Sequence, residues 1–276
     1  MYLNQIFQPC AALQPYIAAI YMLQSSEPLG LCVLPQPNFT LSITYRGSVH
    51  LQDNNTAYRV PSAVLNGGYD TYKRCYVAEN TGIIVVKFKT CAVSSFFDFS
   101  EAGKFSSACR LDSLIGAEAL RDLESGLDHA GSSRERVDQV EEFLCKRLRT
   151  ANRDLLVAEA ARKIREASGN LKIGELCRSL YISESQFEKR FRRAVGISAK
   201  KYASLVRIGA LLNDSSADNN ITDKAYEAGY FDQAHFIRDF KAYTGYTPLR
   251  FFKRRTGESS TFMPLGLIEP AYGVYA

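Results

Sequence analysis

Histidine is scarce in this sequence. Three occur, His50, His129 and His235, in 276 residues. They stand far apart with no H-x-H or H-E-x-x-H spacing, which argues against a histidine-built metal site. The seven cysteines, Cys10, Cys32, Cys75, Cys91, Cys109, Cys145 and Cys177, are odd in number and widely spaced. No C-x-x-C pair occurs among them, so neither a zinc ribbon nor a redox motif is written in the chain. They read as reduced, mostly buried thiols. Long apolar runs are missing too. The longest uncharged stretch, residues 1–26, is broken by Asn4, Gln5, Gln8, Pro9, Gln14, Pro15 and Gln24, whereas a membrane span needs about 20 mostly apolar residues. A basic start ahead of a clean apolar core, the mark of a cleaved signal peptide, is also absent. The expectation is a cytoplasmic chain with no metal, no cofactor and no membrane partner.

What is present is an ordinary globular composition, 46% hydrophobic and 23% charged, which excludes wholesale disorder and collagen-like structure. The length suits one or two domains. Charge is unevenly spread. Residues 1–150 carry 14 Lys/Arg against 15 Asp/Glu, and residues 151–255 carry 20 against 12. Residues 256–276 hold two acidic residues and no basic one. The surplus of +8 in 151–255 points to a polyanion partner for that region. A plain solvated basic surface is the alternative.

The pattern of the chain divides at the same place. Residues 1–115 read as short strands between turns. Leu41-Ser42-Ile43-Thr44-Tyr45 alternates apolar and polar, and Ile83-Ile84-Val85-Val86-Lys87-Phe88 is a β-branched run after Thr81-Gly82. This spacing predicts an antiparallel sandwich or barrel. Tyr16, Tyr21, Tyr45, Tyr58, Tyr69, Tyr72 and Tyr76 either line a pocket there or pack in the core and along edge strands. Helices are expected over 117–127 and from Ser132-Ser133 to 149. Val137, Val140, Leu144 and Leu148 form one apolar stripe on the second, which either packs on its own domain or pairs with a second chain.

Beyond residue 152 the chain reads as helices to 255: 155–167, 173–180, one capped by Ser183, and 199–212 capped by Ser198. A fifth begins at Ile221 or Thr222, a sixth is capped by Asp232, and a seventh opens at Thr247-Pro248. This half repeats itself. Ile173, Cys177 and Leu180 match Ile221, Ala225 and Ala228 at an offset of 48, and Phe187, Phe191, Gly196, Ser198 and Tyr202 match Phe236, Phe240, Gly245, Thr247 and Phe251 at 49. Each unit is a short helix, a tight turn and a capped longer helix, the helix-turn-helix whose second helix enters the DNA major groove.

The segment Ile182-Ser183-Glu184-Ser185-Gln186-Phe187-Glu188-Lys189-Arg190-Phe191, with Val195-Gly196-Ile197-Ser198, Lys200-Lys201-Tyr202 and Val206-Arg207, resembles the first half of the AraC/XylS-type DNA-binding domain. Gly229-Tyr230-Phe231-Asp232-Gln233-Ala234-His235-Phe236-Ile237-Arg238-Asp239-Phe240-Lys241, with Gly245-Tyr246-Thr247-Pro248, resembles its second half. The resemblance covers about 100 residues. The N-terminal part is similar, more weakly, to the cupin-like sensor halves of some AraC-type regulators. The family usually has Gly where Tyr181 stands and often Pro where Ala199 stands, so either Tyr181 accepts a left-handed backbone or the first turn differs slightly.

The resemblance implies an α+β protein: a β-rich cupin-like barrel or sandwich with a helical connector (1–150), two helix-turn-helix units joined by a long helix (151–255) and an apolar tail (256–276). It implies a transcription regulator rather than an enzyme. Groove-facing positions would be Ser185, Glu188 and Lys189 on the first recognition helix and Gln233, Ala234, Ile237 and Arg238 on the second. Arg192, Arg193, Lys200, Lys201, Arg207, Lys241 and Arg250 read as phosphate contacts or solvated surface. Duplex DNA is the partner expected first, with a small-molecule effector, RNA polymerase and a second copy of the chain as further candidates. Two other readings are an architectural DNA-binding protein without a ligand and a cupin-like enzyme fused to a DNA-binding module.

Overall fold

The computed structural model describes residues 2–35, 37–53, 56–67, 71–98, 108–149, 154–213, 225–226, 229–230 and 232–255. Its N-terminal part builds two antiparallel sheets. In the first, β1 (Tyr2–Phe7), β2 (Ile17–Ser25), β9 (Thr81–Phe88), β4 (Thr40–Arg46), β7 (Ala63–Asn66) and β10 (Ala108–Arg110) lie side by side in that order. The second runs β3 (Leu29–Val33), β8 (Lys73–Val77), β5 (Val49–Asp53), β6 (Thr56–Arg59).

Period-two patterning decides which face of each strand meets what. In β4, Leu41 and Ile43 are fully buried in the larger core. They pair with Val86 and Ile84 of β9, which is flanked on its other side by β2. Ile84, Val86 and Phe88 point into that core with Ile20 and Met22. Ile83 points the opposite way, into a smaller core with Leu31, Val49, Cys75 and Val77 of the second sheet. A central strand apolar on both faces is what the β-branched run supplies. The two sheets therefore form a sandwich.

Thr40, Ser42 and Thr44 of β4 face the second sheet and are half-buried. They line a cavity of about 90 Å³ between the sheets, beside Val85 of β9 and opposite Val49 and Leu51 of β5. Asn66 donates to the Ser42 hydroxyl at 3.0 Å on the same wall. Among the described residues, no tyrosine lines this cavity. Tyr21 is buried, Tyr58 and Tyr76 are exposed on the second sheet, and Tyr45 packs under the Arg136 guanidinium at 4.9 Å. Tyr69 lies outside the described residues.

Three helices cover the far face of the first sheet: α1 (Asp112–Ile115), α2 (Ala117–His129) and α3 (Ser133–Arg147). Ser132 caps α3 by accepting from the Glu135 N–H at 3.2 Å. Leu120, Leu123 and Leu127 of α2 and Val137, Val140 and Leu144 of α3 all enter the larger core. Full burial of each Leu or Val is worth about 1.5–3 kcal/mol. The stripe of α3 thus packs on its own domain.

The C-terminal part holds α4 (Leu155–Glu166), α5 (Ile173–Ser179), α6 (Glu184–Val195), α7 (Ala199–Asn213), α8 (Gln233–Thr244) and α9 (Pro248–Arg255). Their ends follow local chemistry. Ser183, Ser198 and Asp232 accept from the N–H groups of Gln186, Lys201 and His235 at 3.3, 3.1 and 2.7 Å. Gly196 and Gly245 close α6 and α8 in the left-handed region, at φ 87° and 78°. The helix expected from Ile221 falls mostly outside the described residues, although Ala225 and Tyr226 are helical. The 256–276 tail also lies outside them. Among the described residues no helix is long and apolar enough to cross a membrane.

The two parts share one boundary. Leu34 and Cys91 of the β-rich part join the helical core. The Tyr243 hydroxyl of α8 donates to the Pro35 carbonyl at 2.8 Å.

Candidate nucleic-acid interface

The sequence repeat is a structural repeat. In the first unit Phe187 and Phe191 pack at 5.4 Å between ring centroids, and Phe191 meets Tyr202 of α7 edge-on at 5.4 Å. In the second, Phe236 and Phe240 stand 5.6 Å apart and Phe240 meets Phe251 of α9 at 5.5 Å. All six rings are buried. Each triad fixes its recognition helix by packing one face and leaving the other outside.

The turns repeat as well. Tyr181 and Ile182 N–H groups donate to Arg178 and Cys177 carbonyls at 3.2 and 3.1 Å. Gly229 and Tyr230 N–H groups donate to Tyr226 and Ala225 carbonyls at 2.8 and 2.9 Å. Those partners are again 48 residues apart. Tyr181 has φ 52° and Gly229 φ 73°. A side chain at Gly229 would meet Asn170 Oδ1 at 2.4 Å, so only glycine fits there without shifting Asn170. Tyr181 projects outward, 98% exposed. Its left-handed backbone costs about 1–2 kcal/mol with no packing in return. Tyr181→Gly is expected to raise stability by about 0.5–1 kcal/mol once glycine's greater unfolded-state entropy is included. Urea denaturation checks this, and a variant less stable than the parent would contradict it.

The outward faces carry the residues singled out from sequence. Ser185 and Lys189 on α6, and Gln233, Ala234 and Arg238 on α8, are exposed; Glu188 and Ile237 are half-buried. The Glu188 carboxylate is already engaged. It accepts from Arg192 Nε at 2.5 Å and from the Ala199 N–H at 3.3 Å. Ala199 is thus served by a carboxylate at the start of α7, where the family often has proline. Arg193, Lys200, Lys241 and Arg250 are exposed, and Lys201 is half-buried. The Arg250 guanidinium lies over the Tyr246 ring at 5.3 Å.

Arg207 is placed differently. It is half-buried, donates to the Gly169 carbonyl at 2.9 Å, and lies over the Tyr230 ring at 5.3 Å from its centroid. It ties α7 to the α4–α5 turn and to the segment leading into α8. Burial pushes the Tyr230 phenol up to about 12.

Further contacts carry no motif in the sequence. Asp154 caps α4 through the Val157 N–H at 3.1 Å and accepts both Nε and Nη2 of Arg190 at 2.9 and 2.7 Å. The Arg190 guanidinium holds the Asp154 carboxyl below the usual carboxylate range. Arg165 Nη1 donates to the Tyr202 hydroxyl at 2.8 Å and to Thr90 Oγ1 at 2.9 Å. Thr90 donates in turn to Asn38 Oδ1 at 3.0 Å, and Asn38 lines the inter-sheet cavity. The β-rich part also touches the end of each recognition helix. A side chain at Gly196 would stand 3.2 Å from the Phe39 ring, and one at Gly245 2.7 Å from the Tyr72 ring. Among the described residues, no three His, Cys, Asp or Glu side chains are grouped to hold a metal ion.

A helix-turn-helix domain model matches residues 176–257. A model described as a domain of unknown function (DUF6597) matches residues 5–108. An uncharacterised HTH-type transcriptional regulator of Staphylococcus aureus (strain MSSA476) is 32% identical over 83 residues, 30% of this chain and 11% of that protein. The chain therefore matches about a tenth of the length of that curated relative. The solved structure of ToxT from Vibrio cholerae aligns with 93% of this chain and 99% of its own at 12% identity and a TM-score of 0.45. ToxT of strain SCE256 bound to an unsaturated fatty acid aligns with 91% and 94% at 14% identity and a TM-score of 0.45. With its twinned units, its glycine-closed second helices and the match over 176–257, the C-terminal part of this chain is a helix-turn-helix domain.

Proposed function

We propose that the chain is a sequence-specific DNA-binding transcription regulator, with residues 1–150 as a sensor or dimerisation domain and 151–255 as the DNA-binding domain. One observation carries this reading: two recognition helices, on matching aromatic triads, present exposed faces from a segment of charge +8. α6 and α8 enter successive major-groove segments roughly 34 Å apart along the duplex. On α6, Ser185, Glu188 and Lys189 meet base edges; on α8, Gln233, Ala234, Ile237 and Arg238 do. Lysine and arginine suit guanine, glutamine suits adenine, and aliphatic side chains suit the thymine methyl. Glu188 reaches a cytosine amino group only by releasing Arg192 and the Ala199 N–H. Arg192, Arg193, Lys200, Lys201, Lys241 and Arg250 take phosphates.

The inter-sheet cavity is assigned to a small effector. Its polar wall of Thr40, Ser42, Thr44 and Asn66 faces aliphatic side chains, a setting for a small molecule with one polar edge. The chain Asn38–Thr90–Tyr202 links that cavity to the core of the first unit. RNA polymerase and a second copy of the chain are the protein partners this reading calls for.

Selection of bound sequences from a random duplex pool by the full chain is the test. Arg238→Ala should lose about 1–3 kcal/mol and relax preference at one base pair. Arg193→Ala should weaken every sequence alike. A parental motif kept intact by Arg238→Ala, at uniformly lower affinity, would move Arg238 to the phosphate set. Absence of any enriched motif would sink the sequence-specific reading itself.

A further inference from the structure

The fold makes a thiol pair that no sequence motif announces. Cys10 follows β1 and Cys145 lies in the last turn of α3, 135 residues later, yet their sulfurs stand 4.0 Å apart. Backbone contacts hold both in place. The Cys10 N–H donates to Glu141 Oε1 at 2.6 Å. Glu141, one turn before Cys145, is buried and accepts from Arg134 Nη2 at 3.1 Å. The Leu13 and Gln14 N–H groups donate back to the Cys10 carbonyl at 2.9 and 3.1 Å, closing the turn that leads to β2. Cys145 is exposed and Cys10 half-buried, so a small oxidant reaches the pair. By contrast Cys75, Cys91 and Cys177 are buried, and the half-buried Cys109 sits 3.1 Å from the Ser113 hydroxyl.

We propose that Cys10 and Cys145 are a peroxide-oxidisable dithiol, closed by a hydroperoxide into an intramolecular disulfide that pins the β1–β2 turn to α3. The Cys145 thiolate attacks a peroxide oxygen. An S–O bond forms, the O–O bond breaks, and the departing hydroxide or alkoxide takes up the thiol proton. The Cys10 sulfur then attacks the Cys145 sulfenic sulfur. The S–S bond forms, the S–O bond breaks, and the released hydroxide leaves as water with the Cys10 proton. Two electrons pass from the two sulfurs to the peroxide.

The geometry asks little movement. The sulfurs must close from 4.0 Å to about 2.05 Å, roughly 1 Å for each side chain, while Glu141 keeps the backbone where it is. At rest, burial, the hydrogen bond with Cys10 and the Glu141 charge hold the Cys145 thiol above its ordinary range. The attacking thiolate is therefore a minor species, and oxidation of the pair quickens as pH rises. α3 is the last helix before α4 opens the helix-turn-helix part, so the bond fixes the segment from which that part departs.

The test treats the full reduced chain with hydrogen peroxide, alkylates the remaining thiols and maps the peptides. Two of the seven thiols should disappear, with one crosslinked species joining the peptides that contain residues 10 and 145. Dithiothreitol should restore both thiols. Closing so long a loop should also raise Tm by several degrees in the oxidised form. Cys10→Ser and Cys145→Ser should each abolish the crosslink, and Cys109→Ser should keep it. Loss of thiols without that crosslink, a crosslink through other cysteines or between chains, or no thiol loss under peroxide would each overturn the proposal.

Discussion

Phe240→Ala is expected to remove about 3–5 kcal/mol of stability, about a fifth or more of what a domain typically has. Phe240 is fully buried and joins α8 to α9. Its ring touches Phe236 one turn earlier on α8 and Phe251 on α9. Alanine leaves a void where the triad meets, and the helix packing around it relaxes only in part. Phe191→Ala should cost a similar amount, because Phe191 holds the same place between Phe187 and Tyr202. The Phe191 site carries an added polar load, since Tyr202 is bound by Arg165 and lies 3.2 Å from Thr90 Oγ1. The consequence for DNA differs between the two. Loosening α8 should erase preference at the positions read by Gln233 and Arg238 while leaving the α6 positions readable, and loosening α6 should do the reverse. Chemical denaturation gives the first quantity and sequence selection the second. An exposed control, Ala242→Ser, should shift stability by no more than about 0.5 kcal/mol. A Phe240→Ala variant within about 1 kcal/mol of the parent would mean that the triads do not seat the recognition helices.

Those triads are legible in the amino-acid sequence because their determinants are local. Serine or aspartate at a helix start, glycine at its end and aromatics four residues apart are short-range chemistry, so Ser183, Gly196, Asp232 and Gly245 mark the ends of α6 and α8 directly. The strands at 41–45 and 83–88 are equally visible from periodicity. What periodicity does not carry is pairing between distant segments. The alternation in β4 reads as one buried and one solvated face, and only the second sheet turns Thr40, Ser42 and Thr44 into a cavity wall. The contact of Thr90 with Tyr202, and that of Cys10 with Cys145, join residues more than 100 apart. Arg207 is a similar case. Its spacing on α7 gives no sign that its guanidinium is held by the Gly169 carbonyl and the Tyr230 ring. Tyr181 is the reverse, since its departure from the family's glycine implies the left-handed backbone found there.

The inward placement of Arg207 makes the salt dependence of binding a sharp measurement. Each phosphate neutralised by lysine or arginine releases condensed counterions, so affinity falls with salt at a slope of about −0.9 per contact. Arg192, Arg193, Lys200, Lys201, Lys241 and Arg250 are six basic side chains on the helix-turn-helix units with at least half-open access to solvent. If all six engage, the slope is about −5, and affinity drops roughly 10³-fold between 50 and 200 mM salt. Lys241→Ala should make that slope shallower by about 0.9 and leave Tm nearly unchanged, since the side chain is exposed. Arg207→Ala should do the opposite. The slope stays at the parental value, while stability falls by about 1–3 kcal/mol from the lost hydrogen bond and ring contact. Titrations of parent and both variants at several salt concentrations, paired with thermal melts, separate the two effects. A shallower slope for Arg207→Ala at unchanged Tm would show that Arg207 leaves the Gly169 carbonyl and meets phosphate when DNA binds.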